Sequence, residues 1–248
     1  NLVWISKLKG IHVNLFSVRI KENSLKTMYL IKHVYRLLYS HLSSIYTISE
    51  RDMKGMCDLL GDAQGPMLRV MGNPRYDFVM RDAVGFREKD FEDIQDRDLR
   101  IIIGSAHEQE ETYLIPALVQ LMNLNPKLKV LYAPHEPSKR AISSIKKKFH
   151  DSGYVGVVFK KKSDLALPSE RLVILGVVGV LSKLYWQCRI AYVGGGHSTG
   201  VHNVMEPAVA RLPVLFGPKH HNSHEAGELL LNSGGFCVGD KEEFLSIT

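Results

Sequence analysis

Apolar residues in the second half of this chain come in short unbroken runs, separated by longer segments of helical periodicity. The runs predict strands at 100–104, 128–133, 155–159, 171–175, 189–193, 213–216 and 235–238. The segments between them predict helices at 108–122, 137–150, 179–187, 203–211 and 222–232. Such alternation is the pattern of a parallel sheet covered on both faces. The first half is less regular. It predicts strands at Ile11–Phe16, Ser44–Ile48 and Met67–Met71. Ser24 is expected to cap a helix running to about Leu42, with Met28, Ile31, Tyr35 and Leu38 on one face. Ser49 is expected to open a second helix ending at Leu60.

Between the halves the pattern fades. Residues 80–98 are rich in charge and weakly periodic. The expected organisation is therefore a first domain at 1–80, a linker at 81–98 and a second domain at 99–248. There is no initiator Met, and the chain stops abruptly, so it is expected to be a fragment of a longer protein.

The most informative stretch lies between two of the predicted strands. Ile190–Val193 runs into Gly194, Gly195 and Gly196, and Gly200, His202, Asn203 and Glu206 follow. Glycines there would let a backbone approach a ligand closely. A helix starting near Asn203 would aim free N–H groups at an anion. Glu206, one turn in, would accept hydrogen bonds from a sugar hydroxyl. The expectation is a nucleotide site, with phosphate at the helix end and ribose at the carboxylate.

Other predicted strands also end in polar residues. Strand 100–104 leads to Ser105 and His107, with Glu108, Glu110 and Glu111 in the next helical turn, where acids favour the dipole. Ser105 is the expected N-cap. Pro134 and Pro137 bracket His135 and present it rigidly. Gly179, at a helix start, could let backbone approach a ligand. Asn222 as N-cap and Glu225 three residues later form a capping-box-like pair, expected to open a helix N-terminus that binds acceptor or sugar. His220, His221, His224 and Glu225 lack metal-site spacing, so no metal is expected.

Composition narrows the classes further. The chain has 248 residues, 45% of them hydrophobic, with a net charge of +6. Three scattered cysteines, Cys57, Cys188 and Cys237, imply neither disulfide framework nor metal. The longest nearly apolar run, Leu172–Leu181, is about half a membrane span. The lysine runs at 146–148 and 160–162 have no interleaved aromatics, so nucleic acid is not an expected partner. No GxSxG, Walker A or GxGxxG motif supports a serine hydrolase, P-loop NTPase or dinucleotide dehydrogenase.

The motifs in their order resemble one family. Ser17-Val-Arg19, Gly72-Asn73-Pro-Arg75-Tyr-Asp77, Gly104-Ser105-Ala-His107-Glu108-Gln-Glu110-Glu111, Pro134-His135-Glu136-Pro137, Gly194-Gly195 and Gly200-Val-His202-Asn203-Val-Met205-Glu206-Pro207 are similar to motifs of the 3-deoxy-D-manno-octulosonic acid (Kdo) transferases of lipopolysaccharide synthesis. Phe216-Gly217-Pro218 and Asn222-x-x-Glu225 continue the series.

The resemblance implies an α/β fold of GT-B type, with two Rossmann-like domains. The first, acceptor-side domain would lack its N-terminal part, and the second, donor-side domain would be truncated at its C-terminus. It implies an inverting, metal-independent glycosyltransferase acting from CMP-Kdo to a lipid A precursor at the cytoplasmic face of the inner membrane. No cofactor beyond the donor is implied. Pro134, His135, Val178, Gly179 and Val180 would contact CMP, together with Asn203, Val204, Met205 and Glu206. Arg75 matches a family lysine and would stabilise the transition state. The catalytic carboxylate would lie upstream of Asn1.

Three residues depart from the pattern. His135 replaces the family's usual Arg, Val180 a carboxylate and Gly176 an Asp. Two alternatives stay open: a GT-B enzyme for UDP- or GDP-sugars, including an epimerase, and a nucleotide-binding domain without chemistry.

Overall fold

The computed structural model describes residues 2–20, 29–61, 65–87, 97–163 and 165–248. They divide into two units, Asn1–Phe78 and Val79–Thr248.

The first unit opens with helix α1 (Leu2–Leu8) and then alternates β1 (Asn14–Val18), α2 (Tyr29–Tyr39), β2 (Ser44–Thr47), α3 (Glu50–Leu60) and β3 (Met67–Val70). Its three strands form a parallel sheet in the order β1-β2-β3. Pairing of Asn14 with Ser44 and Val18 with Thr47 places β1 later than the apolar run at 11–16 predicts. Ser24, the expected cap of α2, lies outside the described residues. Ser49 caps α3 as expected, its hydroxyl accepting from Asp52 N at 3.2 Å. The buried Asp52 carboxylate also accepts from Ile20 N at 2.8 Å, which ties the end of the β1 segment to α3. Ile45, Met56 and Leu59 form the centre of this unit's core. On α1 and α2, by contrast, Leu2, Ile5, Leu8, Val34 and Leu37 remain exposed.

Helix α4 (Pro74–Arg87) begins in the first unit and runs past its boundary. The expected linker at 81–98 therefore starts as helix. Its residues 88–96 lie outside the described set.

The second unit continues β4 (Arg100–Ala106), α5 (Glu108–Leu124), β5 (Lys129–Pro134), α6 (Lys139–His150), β6 (Val157–Phe159) and β7 (Leu172–Leu175). Then come α7 (Leu181–Leu184) with a 3₁₀ turn at Tyr185–Gln187, β8 (Ile190–Val193), α8 (Met205–Val209), β9 (Val214–Phe216), α9 (His224–Leu231), β10 (Gly235–Cys237) and α10 (Lys241–Ile247). All seven strands are parallel, in the order β10-β9-β8-β4-β5-β7-β6.

Side chains of these strands alternate between two cores, as the two-residue period requires. Ile101, Ile103, Val130, Tyr132, Leu172 and Ile174 face one side, where α5, α6 and α10 supply Leu114, Leu118, Ile145, Phe149 and Phe244. Ile102, Leu131, Val173 and Leu175 face the other, against Leu184, Tyr185, Trp186 and Leu212. Burial on both faces explains why the strands read as unbroken apolar runs. Asp240 caps α10 by accepting from Glu243 N at 2.8 Å. Among the described residues no helix is long and apolar enough to cross a membrane.

Candidate functional site

The chain leaves β4 toward β5, β7 and β6, then returns to the other side of β4 and continues through β8, β9 and β10. The crevice beyond the carboxyl ends of β4 and β8 is the switch point where ligands of parallel sheets sit.

Three histidines meet there, each from a different strand end. His107 precedes α5, His135 follows β5 and His202 lies between β8 and α8. The Nε2 atoms of His107 and His202 are 2.8 Å apart, and their rings lie nearly parallel at 11°. His135 stacks on both, with ring centroids 4.3 Å from His107 and 4.6 Å from His202. Desolvation first, and then the neighbouring His135, hold His107 and His202 below the ordinary imidazole pKa. A cleft of about 700 Å³ opens beside them, bordered by Ala106, Glu108, Pro134, Glu136 and Arg140.

A bulge aims the end of β4. Its register with β5 shifts between Ile103 and Ala106, and Ser105 stands at φ 56 in the left-handed region. Ser105 is thus the bulged residue and not the expected N-cap. His107 takes the N-cap position, because the bulge delays the start of α5.

Glu110 organises the crevice from below. It is fully buried. One oxygen accepts from His107 N at 2.9 Å and Gly195 N at 3.1 Å, the other from the Tyr192 hydroxyl at 2.8 Å. Tyr113 meets the same hydroxyl at 2.6 Å. Burial pushes the Tyr192 pKa far up, so it stays a proton donor. The carboxylate therefore locks the β8 loop to the start of α5. The sequence gives Glu110 a dipole role and a place in the family motif; the signal for its structural role is the capping-box spacing from His107. Glu111, also buried, pairs with Lys148 at 2.6 Å, which assigns part of one lysine run to structure.

The glycines after β8 are required by the protein's own packing. A Cβ on Gly194 would stand 2.2 Å from the Ser105 carbonyl oxygen, and one on Gly196 would stand 2.5 Å from the Gly217 backbone. Gly195 is closed in the same way by Gly200. All three are buried.

Helix α8 starts at Met205, with Val204 as N-cap. Asn203 braces it: its carbonyl accepts from Met205 N at 3.1 Å, and its amide donates to Glu206 at 3.0 Å. The Val204 and Met205 side chains are buried, leaving Asn203 and Glu206 half-buried at the surface of this turn. Val178 and Gly179 are exposed at the end of β7, one strand further from β4 than His135. The Val180 side chain packs in the core beneath them. In α9 the N-cap is Ser223 and not Asn222: its hydroxyl accepts from Ala226 N at 3.2 Å. Asn222 instead donates to the Val201 carbonyl at 2.9 Å, and the buried Glu225 accepts from the Ser223 hydroxyl at 2.9 Å. Both hold loops together. Arg75 is exposed at the start of α4, in the first unit, where its N–H bonds to Asn73.

Among the described residues, the one cluster able to hold a metal ion is His107, His135 and His202, whose ligand atoms all lie within 4.8 Å of one another. His220, His221 and Glu225 form no such group, and His224 pairs with Glu228 at 3.3 Å.

No family model matches the chain. Curated proteins named 3-deoxy-D-manno-octulosonic acid transferase are similar to it at 22% to 29% identity. One, from Rickettsia conorii (strain ATCC VR-613 / Malish 7), is 23% identical over 239 residues, which are 94% of this chain and 49% of that protein. The chain thus spans about half the length of that relative. Among solved structures, the C-terminal CMP-Kdo binding domain of WaaA from Acinetobacter baumannii matches with a TM-score of 0.52 and 19% identity, over 69% of this chain and 87% of that one. UDP-GlcNAc 2-epimerase from Neisseria meningitidis, bound to UDP-GlcNAc, matches with a TM-score of 0.64 and 13% identity, over 99% of this chain and 62% of that one. The resemblance read from the motifs is borne out by the relatives. The fold is the expected GT-B type, with Rossmann-like parallel sheets.

Proposed function

We propose that this chain is part of a glycosyltransferase that moves Kdo from CMP-Kdo to a lipid A precursor in lipopolysaccharide synthesis. The observation that carries the reading is the crevice at the switch point of the second unit. His107, His135 and His202 gather there from separate strand ends, with Asn203 next to His202, in a chain similar to Kdo transferases over nearly its whole length.

In this reading the second unit binds the donor. CMP occupies the cleft beside His135, with its phosphate toward His202 and Asn203 and its ribose toward Glu206. The acceptor hydroxyl attacks the anomeric carbon of Kdo from the face opposite CMP. The new C–O bond forms as the bond to the CMP phosphate breaks, and CMP leaves with that electron pair. The hydroxyl proton passes to a general-base carboxylate supplied by another part of the enzyme. The exposed apolar side chains of α1 and α2, with the exposed Lys7 on α1, suit contact with the cytoplasmic face of an anionic inner membrane.

Calorimetric titration of the 248-residue chain with CMP, and with UMP in parallel, tests the donor assignment. Selective CMP binding is the expected result. Preference for UMP would replace this reading with a UDP-sugar enzyme, and absence of binding to either would leave a domain without the donor site.

A further inference from the structure

We propose that His107, His135 and His202 bind a divalent transition-metal ion of the zinc class, with a fourth coordination position open to the cleft. Imidazole nitrogens suit zinc, copper, nickel and iron, whereas magnesium and calcium prefer oxygen ligands. Three histidines with one free position is a recurrent arrangement for an accessible zinc ion.

The backbones of the three histidines are held in place before any ion arrives. His135 N donates to the Ala106 carbonyl at 2.8 Å, and His202 N donates to the Gly194 carbonyl at 3.0 Å. His107 N donates to the buried Glu110 carboxylate at 2.9 Å. Each histidine is thus fixed at its backbone by the strand ends around the switch point. At the ring end, two Nε2 atoms face each other at 2.8 Å with nearly parallel planes. In the metal-free protein this contact needs one shared proton. A zinc ion would replace that proton, and zinc–nitrogen bonds of about 2.0–2.1 Å at a tetrahedral angle set the nitrogens about 3.3 Å apart. Small ring rotations supply that opening, and His135, stacked on both other rings, already brings a ring nitrogen within 4.8 Å of theirs.

The surroundings favour a cation. The Glu110 carboxylate lies against the His107 backbone, and Glu108 and Glu136 line the adjoining cleft, against Arg140 as its basic residue. Because the ligands lie up to 95 residues apart, no short motif announces the site, which is why the sequence predicts a metal-free crevice.

The ion alone is the probe, so the proposal stands apart from the Kdo reading. The 248-residue chain, in a Cys57→Ser/Cys237→Ser background that removes the exposed thiols, would be stripped with chelator and titrated with ZnCl2 and CoCl2. The expected result is one ion per chain, with visible Co²⁺ bands of nitrogen ligation. His135→Ala changes an exposed side chain and leaves the fold intact; it is expected to weaken binding by about 100-fold or more. His202→Gln should do the same, with its far-UV circular dichroism unchanged. His220→Ala/His221→Ala, which removes the adjacent ring pair, should bind as the parent does. Unchanged affinity in His135→Ala, or loss of binding in the His220/His221 variant, would overturn the proposal. So would a parent affinity no tighter than free imidazole provides.

Discussion

Glu110→Ala probes the structural centre of the crevice. The carboxylate receives two backbone N–H groups and one hydroxyl in a fully buried setting. Truncation leaves the buried Gly195 N–H without an acceptor and the half-buried His107 N–H dependent on water. An orphaned buried donor costs about 1–3 kcal/mol, and a hydrogen bond to a charged group contributes about 1.5–3 kcal/mol. Tyr192 is spared, because Tyr113 still meets its hydroxyl. The expected loss is about 3–5 kcal/mol, a large share of the 5–15 kcal/mol of an ordinary domain. Glu110→Gln keeps an acceptor for the two backbone groups and should cost about 1–3 kcal/mol, the difference between charged and neutral bonds. Urea unfolding followed by tryptophan fluorescence measures both. Trp186 is buried in the second unit, and a Trp4→Phe background makes it the sole reporter. A loss under about 1 kcal/mol for Glu110→Ala, or a larger loss for Gln than for Ala, would refute the reasoning.

Gly194→Ala should destabilise the second unit by about 1–3 kcal/mol, because its Cβ would meet the Ser105 carbonyl, which cannot move without β4; the same urea experiment reads it, and a neutral result would contradict the packing role. Glu206→Ala should weaken CMP binding about tenfold, the value of one lost hydrogen bond, while unchanged affinity would remove the ribose assignment. The histidine cluster makes stability depend on pH. Since His107 and His202 hold pKa values below the ordinary 6.5 when folded, the unfolded chain takes up protons first as pH falls. Stability should be flat above about pH 6.5 and decline as the pH drops from there toward the folded values. In chelator-treated protein, the urea midpoint between pH 8 and 5 should show this decline, and His107→Gln/His202→Gln should lessen it; an identical slope would show that other groups are responsible.

The alternation of apolar runs and amphipathic segments determined the parallel sheet of the second unit, because a strand buried on both faces has no polar positions to spare. All seven of its predicted strands are present within a residue or two of their expected ends. Helices α1, α4 and α10 were not legible. The charged Lys241-Glu242-Glu243 start of α10 gives no apolar stripe, and only contact with the α5 face shows that Phe244 belongs to the core. Candidate chemistry was legible as a set of strand-end residues, since parallel sheets gather ligands there. The division of labour within that set was not. The Gly194–Gly196 turn reads as clearance for a ligand, and only the position of the Ser105 carbonyl shows that the protein's own packing requires it too. Val180 and Met205 read as contact residues, yet their side chains fill the cores. Glu110 resembles any first-turn acid until β8 brings Gly195 against it. His107, His135 and His202 become one cluster because β4 lies between β5 and β8. Sequence records local periodicity and capping; which strand ends become neighbours is set by the order in which the sheet assembles, and that order is a property of the tertiary fold.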